Sequence, residues 1–220
     1  MTLKALRKDV CEANKNLEQF GLLIQGMGCA SAIDRERGVV IAKPAAIPHV
    51  ALTPEDMLVM DLAGAVVDGT LEPSPEMAAH LCLYRDFGGI GGVVNTSSPS
   101  ATMFAQAERP IPCLGMIHAS FFKGEIPVTR ALRKPEIDRG YDRFLGNVIV
   151  ERFVRLDATA LQGVLVARHG PFAWGRTVVD ALHRATALEQ AARLAIGTLQ
   201  LSPNIAPLAV MLSDKQYSGK

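Results

Sequence analysis

Apolar side chains recur at helical spacing at Leu3, Leu6, Val10, Ala13 and Leu17, with charges between them. This predicts an amphipathic opening helix that ends near Gly21. The period then shortens. Leu22 to Ile24 begins an extended segment, and Asp34-Arg35-Glu36-Arg37-Gly38 separates it from the apolar run Val39 to Ala42, which predicts a hairpin with Gly38 in its turn. Met57 to Leu62, the Ala63-Gly64 turn and Ala65 to Val67 predict a second hairpin.

Pro75-Glu76 introduces a helix, with Ser74 as its expected cap, that runs through Ala79, Leu83 and Tyr84 to Gly88-Gly89. Gly91-Gly92-Val93-Val94 reads as a short buried strand, and its polar end Asn95 to Ser100 leads into a helix of Ala101, Phe104, Ala105 and Ala107. Cys113 to Thr129 lacks periodicity and reads as loops and short strands. Asn147 to Val154 and Val164 to Ala167 are apolar runs suited to a helix and a strand, and the second leads to His169, an expected Gly170-Pro171 turn and Trp174. Thr177 with Asp180 resembles a capping box opening a last helix, whose inner face is expected to carry Leu182, Ala185, Leu188, Ala192, Leu194 and Ala195. Hairpins interspersed with helices predict an α/β domain, residues 1–220, layered around a largely antiparallel sheet.

Composition narrows the function classes. Lys plus Arg is 23 against 22 for Asp plus Glu, so no electrostatic footprint marks a nucleic acid or an anionic membrane as partner. The segment behind Lys4, Arg7 and Lys8 has no long apolar core, so neither a signal peptide nor a spanning helix is expected, and a cytoplasmic location is. Cys11, Cys29, Cys82 and Cys113 are far apart and are expected as free, buried thiols.

The chemistry starts at His169. A histidine at a strand end can face a divalent cation, yet zinc needs three or four ligands. Around it, the motifs Glu12-Ala13-Asn14, Asp34 to Gly38, Asp68-Gly69-Thr70, Asn147 to Glu151 and His169 to Gly175 occur in an order and spacing that resemble the L-ribulose-5-phosphate 4-epimerases of the class II aldolase/epimerase family, over nearly the whole chain. The resemblance implies a three-layer αβα fold with a mixed, largely antiparallel central sheet. It also implies a homotetramer with sites between subunits, and zinc chemistry on a sugar phosphate through an enediolate.

Carried over residue by residue, the resemblance implies less. The family's two strand-end histidines fall on Asn95 and Ser97, so His169 is the one metal ligand kept; amide and hydroxyl oxygens are poor substitutes for imidazole. The carboxylate beside the metal falls on Glu76, which an acid in the first turn of a helix explains about as well. The acid-base aspartate falls on Ser120, and a serine lacks a carboxylate's acid-base capacity without its own base. At the phosphate cradle Lys43 and Ser74 remain, Cys29 replaces an asparagine, and Ala45 and Ala46 replace a serine and the glycine that allows close approach. Pro75 stands where a second serine would donate, and Gln216 where the tail has a histidine. Tyr217 adjoins that position without taking over the tail's tyrosine role. No two of the five histidines form a His-x-His or His-x-x-x-His pair, and His118 with Glu76 and His169 is the one substitute trio. The sequence therefore predicts a family member with weak or absent zinc binding, catalytically silent or severely impaired, with an active epimerase or aldolase as the alternative.

Overall fold

The computed structural model describes residues 2–208, so Gln216 and Tyr217 lie outside the described residues. Seven strands form one sheet: β1 (Gly28–Asp34), β2 (Val39–Ala42), β3 (Leu58–Asp61), β4 (Val66–Asp68), β5 (Gly92–Thr96), β6 (Gly163–Val166) and β7 (Gly170–Gly175). Their order is β4-β3-β2-β1-β5-β7-β6, and each of these neighbours pairs antiparallel. The helices are α1 (Leu3–Gln19), α2 (Met77–Asp86), α3 (Pro99–Gln106), α4 (Met116–Ala119), α5 (Lys134–Phe153) and α6 (Val178–Leu201).

Strand residues alternate between two cores, as a period of two requires. Cys29, Val40, Leu58, Val93, Phe172 and Trp174 join the cluster containing Tyr84 of α2 and Ile149 of α5. Ala30, Ile41, Val59, Val94 and Ala173 join α1 and the start of α6. Two apolar faces covered by helices make the three layers. All four cysteines are buried and free.

The close approach of α6 to the sheet depends on glycine. Gly92 and Gly175 are register partners. A Cβ on Gly92 would lie 2.4 Å from Val178 N, and one on Gly175 would lie 2.9 Å from Ala181 N. The first turn of α6 therefore rests on bare backbone. Thr177 opens it, accepting a hydrogen bond from Asp180 N–H at 3.1 Å.

Five local expectations are corrected. Leu194 is not on the inner face of α6: it is 49% exposed, because the helical period turns it away from the buried stripe of Leu188, Ala192 and Ala195. Leu22 to Ile24 does not begin a strand; Ile24 bridges to Met27 in a tight turn and β1 starts at Gly28. Ser74 does not cap α2, because its hydroxyl donates to the Glu76 carboxylate. The turn expected at Gly170-Pro171 lies at residues 167–169, with Arg168 at φ +63°, and Gly170 and Pro171 belong to β7. Proline is tolerated there because pairing with β5 starts only at Phe172. The helix expected over Asn147 to Val154 begins at Lys134 and carries a kink at Gly140, whose φ is +134°.

Candidate functional site

Strand register places Asn95 of β5 opposite Cys29 of β1 on the face covered by α2. The Asn95 amide meets Cys29 N–H at 3.2 Å, Cys29 Sγ at 3.4 Å and His80 Nε2 at 3.0 Å, all through Oδ1. A backbone N–H can only donate, so the atom facing it is the oxygen. It follows that His80 Nε2 carries a proton, that Nδ1 is an acceptor, and that Ser31 donates to it at 2.7 Å. Tyr84 then donates to Ser31 at 2.9 Å. One backbone donor thereby orients a chain of five buried side chains. Burial pushes the His80 pKa down to about 4, against weaker opposing effects of Asn95 and Glu76, and it holds the Cys29 thiol and Tyr84 phenol above their ordinary values.

At the neighbouring strand end the arrangement is open. His169, half-buried, stacks on Phe172 with centroids 5.8 Å apart, and its Nδ1 lies 3.0 Å from the Tyr141 hydroxyl. Burial lowers its pKa while the charges of Glu76 and Asp142 oppose the shift. Asp142 is raised by burial first and then by Glu76. Tyr141 and Asp142 follow the Gly140 kink in α5 and were not identified from the sequence. A glycine inside a helical run was the available signal.

A third group gathers where the strands diverge. Ser74 N–H donates to Lys43 O at 3.1 Å and Ala45 N–H to Glu72 O at 2.9 Å, which holds residues 43–45 against 72–74. Lys43 is buried, its Nζ donates to Pro44 O at 2.9 Å, and desolvation lowers its pKa against the pull of Cys29 and Glu76. His49 lies 3.1 Å from Gly28 O through Nε2. Ala45 and Ala46 offer only exposed methyl groups. Glu76 connects these regions electrostatically, acting on Cys29, Lys43, His49, His80, Asp142 and His169.

The model of the class II aldolase and adducin N-terminal domain family matches residues 8–196. The chain belongs to this family. It is 40% identical over 218 residues to the protein named L-ribulose-5-phosphate 4-epimerase UlaF in Salmonella paratyphi A and in Salmonella typhi, covering 99% of this chain and 96% of each relative. Among solved structures it is similar to an L-fuculose 1-phosphate aldolase, with TM-score 0.80 and 21% identity over 97% of this chain and 96% of that one. It is also similar to YgbL of Klebsiella pneumoniae, with TM-score 0.78 and 23% identity over 98% of this chain and 99% of that one.

For a class II aldolase-fold chain, the remaining expected site residues are dispersed. Ser97 accepts from Ile24 N–H at 2.6 Å and donates to Met27 O at 2.9 Å, so it ties the 24–27 turn. Ser120 closes α4, donating to Met116 O at 2.8 Å, and borders a cavity of about 270 Å³ with Gln162, Arg176 and His183. That cavity lies at the Arg176 end of β7, whereas His169 lies before Gly170 at the other end, the two ends of the strand being roughly 16 Å apart at strand rise. His118 turns to the Gly124 carbonyl and does not join Glu76 and His169. Among the described residues, no three His, Cys, Asp or Glu side chains are grouped to hold a metal ion.

Proposed function

We propose that this chain is a class II aldolase-fold protein without effective metal-dependent catalysis, a silent or severely impaired relative of the sugar-phosphate epimerases and aldolases. One observation carries the reading. Where the family resemblance puts a zinc-binding imidazole, Asn95 Oδ1 receives three protein donors. The donor set does not fit zinc: an amide oxygen already saturated, a hydroxyl engaged by the 24–27 turn, and His169 do not make the imidazole, thiolate and carboxylate set that zinc requires. The phosphate cradle supports the same reading, since Lys43 Nζ is turned to Pro44 O and the Ser74 hydroxyl to Glu76. A sugar phosphate would bind there weakly. We propose in addition a cytoplasmic homotetramer, on the family resemblance; among the described residues no helix is long and apolar enough to cross a membrane.

The alternative is an active epimerase or aldolase acting on a pentulose or deoxyhexulose phosphate. It is favoured by the 40% identity to the relatives named as epimerases and by the coupling of Glu76 to His169. Metal analysis of the purified protein, with epimerase and aldol-cleavage assays on L-ribulose 5-phosphate and L-fuculose 1-phosphate, separates the two. Substoichiometric zinc without turnover is expected. Stoichiometric zinc with turnover would overturn the proposal, and light scattering checks the tetramer.

A further inference from the structure

Between α2, α5 and the turn that joins β3 to β4 lies a groove of about 660 Å³. Met77, Ala78, Leu81 and Arg85 reach it from one face of α2, at helical spacing. It shares Ser74 and Pro75 with the phosphate cradle, whereas Cys29, Lys43, Ala45, Ala46 and Glu76 do not line it. Buried Met60, Met77 and Leu81 make its floor apolar. The charged side chains that line it are Arg85 and Arg143, and no carboxylate joins them.

Helix packing sets the two arginines apart. A Cβ on Gly146 of α5 would lie 2.5 Å from the Cys82 Cβ, and further along both helices Phe153 meets Phe87 with ring centroids 5.5 Å apart. The two helices therefore run side by side in the same direction. Arg143, three residues before Gly146, stands beside the first half of α2, and Arg85 stands on its last turn, so roughly 10 Å of helix axis separates them. Arg85 is anchored, its Nη1 donating to Leu62 O at 2.6 Å. Arg143 is exposed and forms no hydrogen bond or ion pair with the other described residues.

Two like charges over an apolar floor, with no acid to neutralise them, concentrate a positive potential in the groove. A compact anion meets one guanidinium, whereas an elongated molecule with an acid at each end meets both. We propose that this groove binds an elongated dianion of the α,ω-dicarboxylate class, with one carboxylate on Arg85, the other on Arg143, and the methylene chain over Met60, Met77 and Leu81. The planar guanidinium fork matches a carboxylate. A sugar bisphosphate fits less well, because its hydroxyls would lie without partners on the apolar floor.

The test titrates the full chain by calorimetry at low salt with suberate, which is long enough to span both arginines, with octanoate, which has one carboxylate, and with malonate, which is too short. Saturable binding of suberate is expected, with octanoate weaker by about threefold for the missing ion pair and malonate weaker still. Added salt should weaken suberate most. Arg143→Gln, at an exposed position without a partner, should leave the thermal denaturation unchanged and remove the advantage of suberate over octanoate. No saturable binding of suberate, equal affinity for suberate and octanoate, malonate binding as tightly as suberate, or an advantage undiminished in Arg143→Gln would each overturn the proposal. The readout is binding and not turnover, so the outcome is independent of whether the chain is catalytically silent.

Discussion

Asn95 and His169 occupy neighbouring strand ends, Asn95 opposite Phe172 and His169 three residues before it, yet their surroundings differ in kind. Around Asn95 the donors of Cys29, His80, Ser31 and Tyr84 each have an acceptor within the fold, and the side chains from Cys29 to Tyr84 are buried. Around His169 the ring, Glu76 and Asp142 are half-buried and interact through charge. A satisfied network defends one geometry, because removing any member strands its neighbours without water. A half-open group tolerates change in its immediate partners, because water replaces what is removed. Substitutions at the first end should therefore register as stability, and those at the second as local chemistry.

Acid should produce the largest effect. The folded pKa of His80 lies near 4, below the ordinary 6.5, so the unfolded chain takes up the proton first. Stability from this group is full above pH 6.5 and is lost as pH falls toward 4, by about 3 kcal/mol. His49, His118 and His169 are shifted in the same direction and add to the slope. Urea unfolding at pH 7 and pH 4 measures it; His80→Gln should flatten the profile, and a profile flattened instead by His169→Gln would reverse the comparison. Asn95→Leu comes next, stranding the buried His80 Nε2–H at a cost of about 2 kcal/mol at pH 7. A loss under about 1 kcal/mol would show that the network relaxes onto other acceptors.

Smaller changes sharpen the other side. Ser97→Ala removes the hydroxyl joining Ile24 and Met27 at an exposed turn and should cost about 1 kcal/mol by thermal denaturation, with faster amide exchange at Ile24. Tyr141→Phe should change stability by no more than about 0.5 kcal/mol, because its partner is open to water. Its readout is the nitrogen shift of His169 Nδ1, which should move while that of His80 stays. An equal response at His80 would join the two regions into one network.

The pattern of apolar positions was legible over most of the fold. The amphipathic opening helix, the hairpin through Gly38, the second hairpin through Gly64 and the last helix opened by Thr177 all stand where their periods place them. The errors fall where a local signal has two structural outcomes. Gly170-Pro171 carries the composition of a turn and serves as a strand, since the sheet asks no donor of Pro171. Residues 134–146 of α5 lack a clean stripe because Gly140 rotates one half against the other. The kink that obscured the helix also delivers Tyr141 to His169.

Alone, the sequence determined the period of most elements and the family, and it singled out candidate residues such as Asn95 and His118. These are properties of neighbours in the chain or of matching positions, and they need no third dimension. Tertiary structure decided what those residues do. Asn95 is an acceptor for three donors only because the β1–β5 register sets Cys29 against it and α2 lowers His80 onto the same oxygen. His118 gives its Nε2–H to the Gly124 carbonyl and so does not join Glu76 and His169. Hydrogen bonds are short and directional, so their pairing depends on ångström-scale convergence of distant segments, which periodicity along a chain does not encode.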